Sequence, residues 1–483
     1  MDTKAKKLTK NIGIFTLSGF GSKILILLLV PLYTSVLSTE EYGQYELLVT
    51  TVNLVFPLIT LEITSGVMRF LMNGATEKRE AVGAIGLRVL ILSCIIFATL
   101  LLLNYLLNLF SFIRGYEFVV FIFYLAMAFY TYFGEIAKGL QKVKIIGVAG
   151  IISTSSIISF NILFLLVLKW GLIGFFVANI LGFVVPSLFY ICLKEIRIAV
   201  GIRYIFKSDR ELVKEMILYS MPLVLTAISW TINNSLDKYM VTYMIGLSAS
   251  GLISIAYKVP NILAAVQNFF NSAWQISAID ESGQKDTREF YDKSFNFYLS
   301  ISAVCCSVLI IFSKILGTLL YSGEFKEAWI YVPFLLLSSF FNSASGFMGP
   351  ILVARMDSKK MALSGVIGII TNVLFNYLFI LWIGIQGAAI ATSLSSFSIF
   401  LVRYISVRDS FSTKTRMKFY MLSAIAVAQS SVMIFAYGNI RAIALYGTLV
   451  LLLMGILFIC RKEICGFART ALSLVKKRTN NNE

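Results

Sequence analysis

Apolar residues run along this chain in long blocks, each about 20 residues or more, the length a helix needs to cross a hydrocarbon layer. The blocks fall near 12–37, 43–70, 83–110, 117–138, 145–168, 172–193, 217–245, 251–279, 293–320, 328–354, 361–383, 385–407, 418–437 and 442–460. They predict an all-α polytopic membrane protein with about 14 transmembrane helices. The first block follows Lys4, Lys6, Lys7 and Lys10, as in a signal peptide. It is too long for one and no small-residue cleavage site follows, so it reads as a retained span.

The polar segments between blocks alternate in charge. Lys78, Arg79, Lys142, Lys144, Lys194, Arg197, Arg203, Lys207, Arg210, Lys214, Lys285, Arg288, Lys359, Lys360, Lys414, Arg416 and Lys476-Lys477-Arg478 share one side with the N-terminus. The opposite loops hold Arg114, Lys169, Lys326 and Arg441. The excess of Lys and Arg on one side predicts that both termini are cytoplasmic, which requires an even number of spans. The asymmetry also accounts for most of the net charge of +17 and argues against a nucleic-acid partner.

Composition narrows the chemistry. Hydrophobic residues make up 58% of the 483 and charged ones only 14%, which excludes an ordinary soluble domain. Histidine is absent, removing His-based acid–base catalysis, His triads and His-ligated metals. The six cysteines form no CxxC pair and read as small hydrophobes. No Walker A motif or metal-ligand cluster is present, and no loop is large enough for a catalytic domain. Catalytic residues, bound metals and cofactors are therefore not expected.

Two segments repeat. GLIGFFVANIL at Gly171–Leu181 and GIQGAAIATSL at Gly384–Leu394 are offset by 213 residues, and each opens a span just after a Trp. EYGQYELL at Glu41 and ASGLISIA at Ala249 are offset by 208. Two six-helix lobes plus two extra helices follow: an N-lobe over 1–193, a cytoplasmic amphipathic linker over 194–216, a C-lobe over 217–410, and the last two spans with a basic tail over 411–483. Parallel repeats of this kind suit a transporter with its site at the lobe interface near the midplane.

Pro31–Phe70, with Tyr33-Thr34, Leu37-Ser38, the Glu41-Tyr42-Gly43 turn and Arg69, resembles the first hairpin of bacterial polysaccharide repeat-unit flippases. These are Wzx-type members of the multidrug/oligosaccharidyl-lipid/polysaccharide superfamily. Ser235–Val259, with Asp237-Lys238, Gly251 and Ala256-Tyr257-Lys258, is similar to their seventh–eighth hairpin. The resemblance implies a flippase in the bacterial plasma membrane. Its substrate would be an undecaprenyl-diphosphate-linked oligosaccharide, moved for capsule, O-antigen or exopolysaccharide assembly. The lipid-linked oligosaccharide and the bilayer are the expected partners, with polymerase or export machinery as a candidate third.

Ionisable groups inside a membrane are expensive and need a reason. Lys23, Lys238 and Lys258 are the candidate ligands of a diphosphate, whose charge and lost hydration call for cations. Asp237 pairing with Lys258 across the hairpin is the structural alternative. Lys258, Asn261, Asn268, Asn271 and Gln275 fall within an arc of about 140° at 100° per residue. Thr226, Ser229, Asn233 and Asp237 form a second stripe, Thr16, Gly19 and Lys23 a third, and Asn342, Asn372 and Asn376 lie in later spans. Amides and hydroxyls suit a sugar-lining cavity, and interhelical hydrogen bonding is the other reading. Glu62, Arg69, Arg88 and Glu135, near the cytoplasmic ends, form a gate or an ion-coupling site, or else a ring of structural ion pairs. Glu62 follows Pro57, where a kink could open the backbone. Two other functions compete: a multidrug-type small-molecule exporter, expected to have twelve spans and an acidic site, and a membrane polymerase or acyltransferase, expected to have a large loop or a catalytic His.

Overall fold

The computed structural model describes residues 25–73, 79–205, 209–281, 286–355, 357–435 and 442–463. Every regular element among them is helical. The order is α1 (Leu25–Val36), α2 (Thr39–Thr60), α3 (Ile63–Asn73), α4 (Arg79–Leu107), α5 (Glu117–Gly139), α6 (Val143–Asn161), α7 (Gly171–Cys192), α8 (Lys194–Val200), α9 (Arg210–Met244), α10 (Leu247–Ala256), α11 (Lys258–Asp280), α12 (Thr287–Leu320), α13 (Val332–Ala354), α14 (Ser358–Ile383), α15 (Ile385–Val407), α16 (Thr413–Phe435) and α17 (Ala442–Ile459).

Among the described residues, ten helices are long and apolar enough to cross a membrane, and twelve when each of two bent pairs counts as one span. Shorter apolar helices, Leu25–Val36 and Ile443–Ile459, stand where the first and last spans are predicted, so the described residues show up to twelve full-length spans rather than fourteen. The bent pairs are α2–α3, turning by 58°, and α10–α11, turning by 41°. Pro57 sits inside α2 without ending it. The break comes four residues later, where Leu61 and Glu62 both take left-handed φ of 52°, a conformation side chains other than glycine seldom adopt.

The chain divides into two compact units. The first comprises residues 1–239, 246–251 and 322–324; the second comprises 240–245, 252–321 and 325–483. In the first unit, Tyr33, Tyr42, Tyr45, Phe175 and Phe176 pack α1, α2 and α7 together, with Tyr45 and Phe175 ring centroids 4.5 Å apart. Tyr132 donates to the Gly83 carbonyl at 2.7 Å and Tyr124 to Ser93 at 2.8 Å, tying α5 to α4. Within the range expected for the linker, Lys194–Val200 form a short helix, α8, with Ile196, Ala199 and Val200 buried, and α9 begins at Arg210. A Cβ on Gly83 would strike the Ala199 carbonyl, so α8 presses directly on α4.

The second unit is cored by α13, which is buried along most of its length. Ser302–Ser343 and Ser338–Ser396 hydroxyl pairs, at 2.9 and 2.8 Å, link it to α12 and α15. Trp274 donates its indole N–H to the Phe347 carbonyl at 2.8 Å and stacks on that ring. These bonds are internal because lipid offers no partner to a polar group.

The 213-residue repeat is structural. Gly171 and Gly384 both hold left-handed φ, 57° and 61°, at the starts of α7 and α15. Three residues on, Gly174 packs against Phe164 and Trp170, and Gly387 against the Phe379 carbonyl. Each turn thus needs one glycine for its conformation and one for close approach to the preceding helix.

Candidate functional site

In the first unit the charge buried in α2 is Glu46, which the sequence reading did not single out. Its Oε2 accepts from Lys238 Nζ at 2.8 Å and its Oε1 from the Tyr42 hydroxyl at 2.6 Å. The side chains of Lys238 and Glu46 retain only 14% and 11% of their exposure, so the pair is largely desolvated and each partner depends on the other. Tyr33 stacks on Tyr42 and closes one side. Beside Lys238, Asp237 is buried, and its carboxylate accepts from the Lys238 backbone N–H at 3.1 Å. Lys238 therefore faces a carboxylate as well as being a candidate for a diphosphate. Ser229 is exposed and Asn233 half-buried on the same helix.

Beyond this pair, α2 and α10 cross at van der Waals contact. A Cβ on Gly43 would run into the Leu247 carbonyl, and one on Gly251 into the Thr39 carbonyl. These four positions obey the 208-residue offset, so the contact is reciprocal. Thr39 Oγ1 lies 2.6 Å from Ser248 Oγ and donates to Glu324 Oε2 at 2.8 Å, while the Thr39 N–H reaches the same carboxylate at 3.2 Å. Ser38 and Glu41 complete a capping box, so the exposed N–H groups of α2 meet two carboxylates.

The four residues expected to act together as a gate make separate contacts. Glu62, at the α2–α3 break, accepts from Ser65 at 2.9 Å. Glu135 pairs with Lys138 at 2.6 Å, Arg88 donates to the Tyr204 carbonyl at 2.8 Å, and Arg69 is exposed. A further pair at this end joins Lys142 to Glu195 at 2.5 Å.

In the second unit, α11 and α13 both carry exposed or half-buried amides. Asn342 is the one exposed residue between Val332 and Leu352, and an exposed amide on an otherwise buried helix points at protein-lined space rather than lipid. Asn271 of α11 lies against Gly346, one turn along from Asn342. Asn261 and Gln275 are exposed on α11, and Lys258 is half-buried at its first position. Asn372 and Asn376 differ from the expected lining role. Both are buried, and the Asn376 amide donates to the Asn372 carbonyl and side chain at 2.9 and 3.0 Å. An i, i+4 amide pair bonded within its own helix is buried structure rather than an open surface for sugar, although Asn376 Oδ1 meets no donor among the described residues.

A second residue outside the sequence reading is Arg403, enclosed by α13, α14 and α15. Its Nε donates to Ser364 Oγ at 2.9 Å and Nη1 to the Ser345 carbonyl at 3.1 Å. Its partners are a hydroxyl and a carbonyl, so its charge is solvated by dipoles. Both Glu46 and Arg403 were visible as lone charges inside apolar blocks, the same signal that marked the three lysines. At the end of the unit where Arg403 lies, Asp357 caps α14. Lys360, donating to it from beside the cap, holds the Asp357 carboxyl below its ordinary range. Thr16, Lys23 and the Asn268 side chain lie outside the described residues. No group of three candidate metal ligands occurs among the described residues.

The fold has solved counterparts. A lipid II flippase, MurJ, in an inward closed conformation superposes with a TM-score of 0.68 at 14% identity, covering 95% of this chain and 99% of its own. An inward-facing multidrug resistance MATE family transporter of the MOP superfamily gives 0.63 at 15% identity, covering 83% and 96%. A MOP superfamily transporter from Pyrococcus furiosus, described by the reversed polarity of its binding pocket, gives 0.53 at 16%, covering 86% and 96%. No curated relative matches in sequence. Identities this low establish the fold alone. Residues 8–279 match the model of the polysaccharide biosynthesis protein family, more than half the chain, and the chain belongs to that family.

Proposed function

We propose that this protein is a flippase for lipid-linked oligosaccharides. It carries undecaprenyl-diphosphate-linked repeat units from the cytoplasmic to the outer leaflet of a bacterial plasma membrane by alternating access, with both termini in the cytoplasm. The observation that carries this reading is membership of the polysaccharide biosynthesis family in a chain built of apolar helices. A polysaccharide precursor must cross the membrane on its lipid. The likeness in fold to a lipid II flippase supports a lipid-linked cargo. Lys23, Lys238 and Lys258 hold the diphosphate, a role that fits their charge and depth. The amides of α11 and α13, Asn261, Asn271, Gln275 and Asn342, receive sugars, joined by Ser229 and Asn233 of α9.

The test is flux of a defined prenyl-diphosphate oligosaccharide in proteoliposomes, with and without imposed Na⁺ and H⁺ gradients. The expected result is protein-dependent transfer of the lipid-linked sugar and none of a cationic dye. Transfer of the dye alone would make the chain a small-molecule exporter and overturn the reading.

A further inference from the structure

In the second unit a groove of about 530 Å³ lies among α12, the start of α16 and the end of α17, and the transport reading uses none of its residues. Lys414, Arg461 and Lys462 stand exposed along it. Lys418 lies deeper, its ammonium 2.8 Å from Glu463 Oε1 and 3.0 Å from Ser300 Oγ. Four cations thus face one carboxylate that is already engaged by one of them. Met417, Met421 and Phe458 are exposed in the same groove, and the Arg461 guanidinium sits 4.8 Å above the Phe458 ring. Two buried acceptors in its wall, Glu463 Oε2 and Asn296 Oδ1, meet no donor among the described residues.

These features ask for one kind of molecule. An anionic group satisfies the exposed cations, since charge-assisted bonds to phosphate are the strongest available to Lys and Arg. The apolar strip beside them asks for alkyl chain, and long basic side chains at helix ends reach headgroup level by laying their stems along such a surface. The orphaned acceptors need hydroxyl or N–H donors on the ligand, because a buried acceptor left without one is costly. The chain's own next segment, 464–483, carries Arg469, Lys476, Lys477 and Arg478 against Glu483, so like charge disfavours it as the occupant. We propose that the groove binds the headgroup of a phosphatidylglycerol. The phosphodiester sits on Lys414, Arg461 and Lys462, a glycerol hydroxyl donates to Glu463 Oε2 or Asn296 Oδ1, and the first acyl carbons lie along Met417, Met421 and Phe458.

The experiment uses the full chain in nanodiscs of phosphatidylcholine doped equally with phosphatidylglycerol and phosphatidic acid, followed by measurement of lipid retained on mild detergent extraction. Phosphatidylglycerol should be retained above phosphatidic acid, which lacks the hydroxyls, and both above phosphatidylcholine. Lys414→Ala/Arg461→Ala/Lys462→Ala should retain both anionic lipids about tenfold less. Asn296→Leu should bring phosphatidylglycerol down to the level of phosphatidic acid. If Asn296→Leu does not fold, Glu463→Gln must shift that ratio in the same direction. Undiminished retention by the triple variant, equal retention of phosphatidylcholine, or complete displacement by millimolar inorganic phosphate would each overturn the assignment. Retention that depends on the cations but ignores the hydroxyls would overturn the choice of phosphatidylglycerol.

Discussion

The Glu46–Lys238 pair shows what one residue can and cannot reveal about its role. Lys238 is legible in the sequence as a cation inside an apolar block, because such a charge needs a reason to be there. Its partner is not legible, since the two are 192 residues apart and only the folded first unit brings them within 2.8 Å. The pair gives Lys238 two possible duties, balancing Glu46 and meeting a diphosphate, and these are separable. Lys238→Ala removes the ammonium facing a buried carboxylate and should destabilise the protein by about 3 kcal/mol, the usual cost of removing half of a buried pair. Glu46→Gln/Lys238→Met removes both charges and should recover most of that loss in a thermal melt. If Lys238 also holds the substrate, the double variant stays folded and flux in proteoliposomes still collapses. Wild-type flux from the double variant would leave Lys238 a purely structural role. Arg403 makes a parallel case. Arg403→Lys keeps the charge but gives up the planar fork that reaches both Ser364 and Ser345, so a loss of about 1–2 kcal/mol in the melt is expected despite the conserved charge.

Elements were more legible than contacts. Each span is specified by its own apolar run, so the predicted blocks and the observed helices coincide along most of the chain. The glycine repeats were legible too, because a turn leaves its residue type in the sequence. What periodicity could not carry was the reciprocity: Gly43 admits Leu247 and Gly251 admits Thr39, a relation between helices rather than a property of either. Residue type also pointed to a kink at Pro57, whereas two left-handed residues make the bend at Leu61 and Glu62. The reciprocal crossing has a functional consequence if α2 and α10 separate during transport, as alternating access requires of one end of the protein. Thr39→Cys/Ser248→Cys replaces two hydroxyls 2.6 Å apart. In a background without other cysteines, oxidation should cross-link them and stop flux, and reduction should restore it. A cross-linked protein that transports at the uncrosslinked rate would show that the crossing stays shut throughout. Gly43→Ala should destabilise the contact by about 1–3 kcal/mol, since the new methyl meets backbone rather than a movable side chain. It should also lower the yield of the Thr39–Ser248 cross-link.

For the whole molecule, the fold class followed from hydropathy alone because a bilayer permits few architectures. The sequence also fixes an expected direction: basic residues crowd one set of loops, and the positive-inside rule puts that set in the cytoplasm. Labelling of single cysteines in intact cells tests this expectation and the span count together. Ser111 lies exposed in the 3-10 turn between α4 and α5, and Gln141 lies exposed in the turn between α5 and α6. These turns are at opposite ends of α5, so the two cysteines must report opposite sides whatever the orientation, which makes them an internal control. With cytoplasmic termini, Ser111→Cys labels with an impermeant maleimide from outside and Gln141→Cys only after permeabilisation; the reverse pattern would invert the molecule. Asn439, between α16 and α17 in sequence and outside the described residues, then decides the number of spans. If α16 and α17 both cross, Asn439→Cys labels together with Ser111→Cys. If the last two helices lie along one face instead, it labels with Gln141→Cys, and the chain has twelve spans with its basic end on the same side. The helix lengths lean toward crossing, since α16 (23 residues) and α17 (18 residues) are both apolar and their lengths lie within the thinning and tilt a bilayer accommodates.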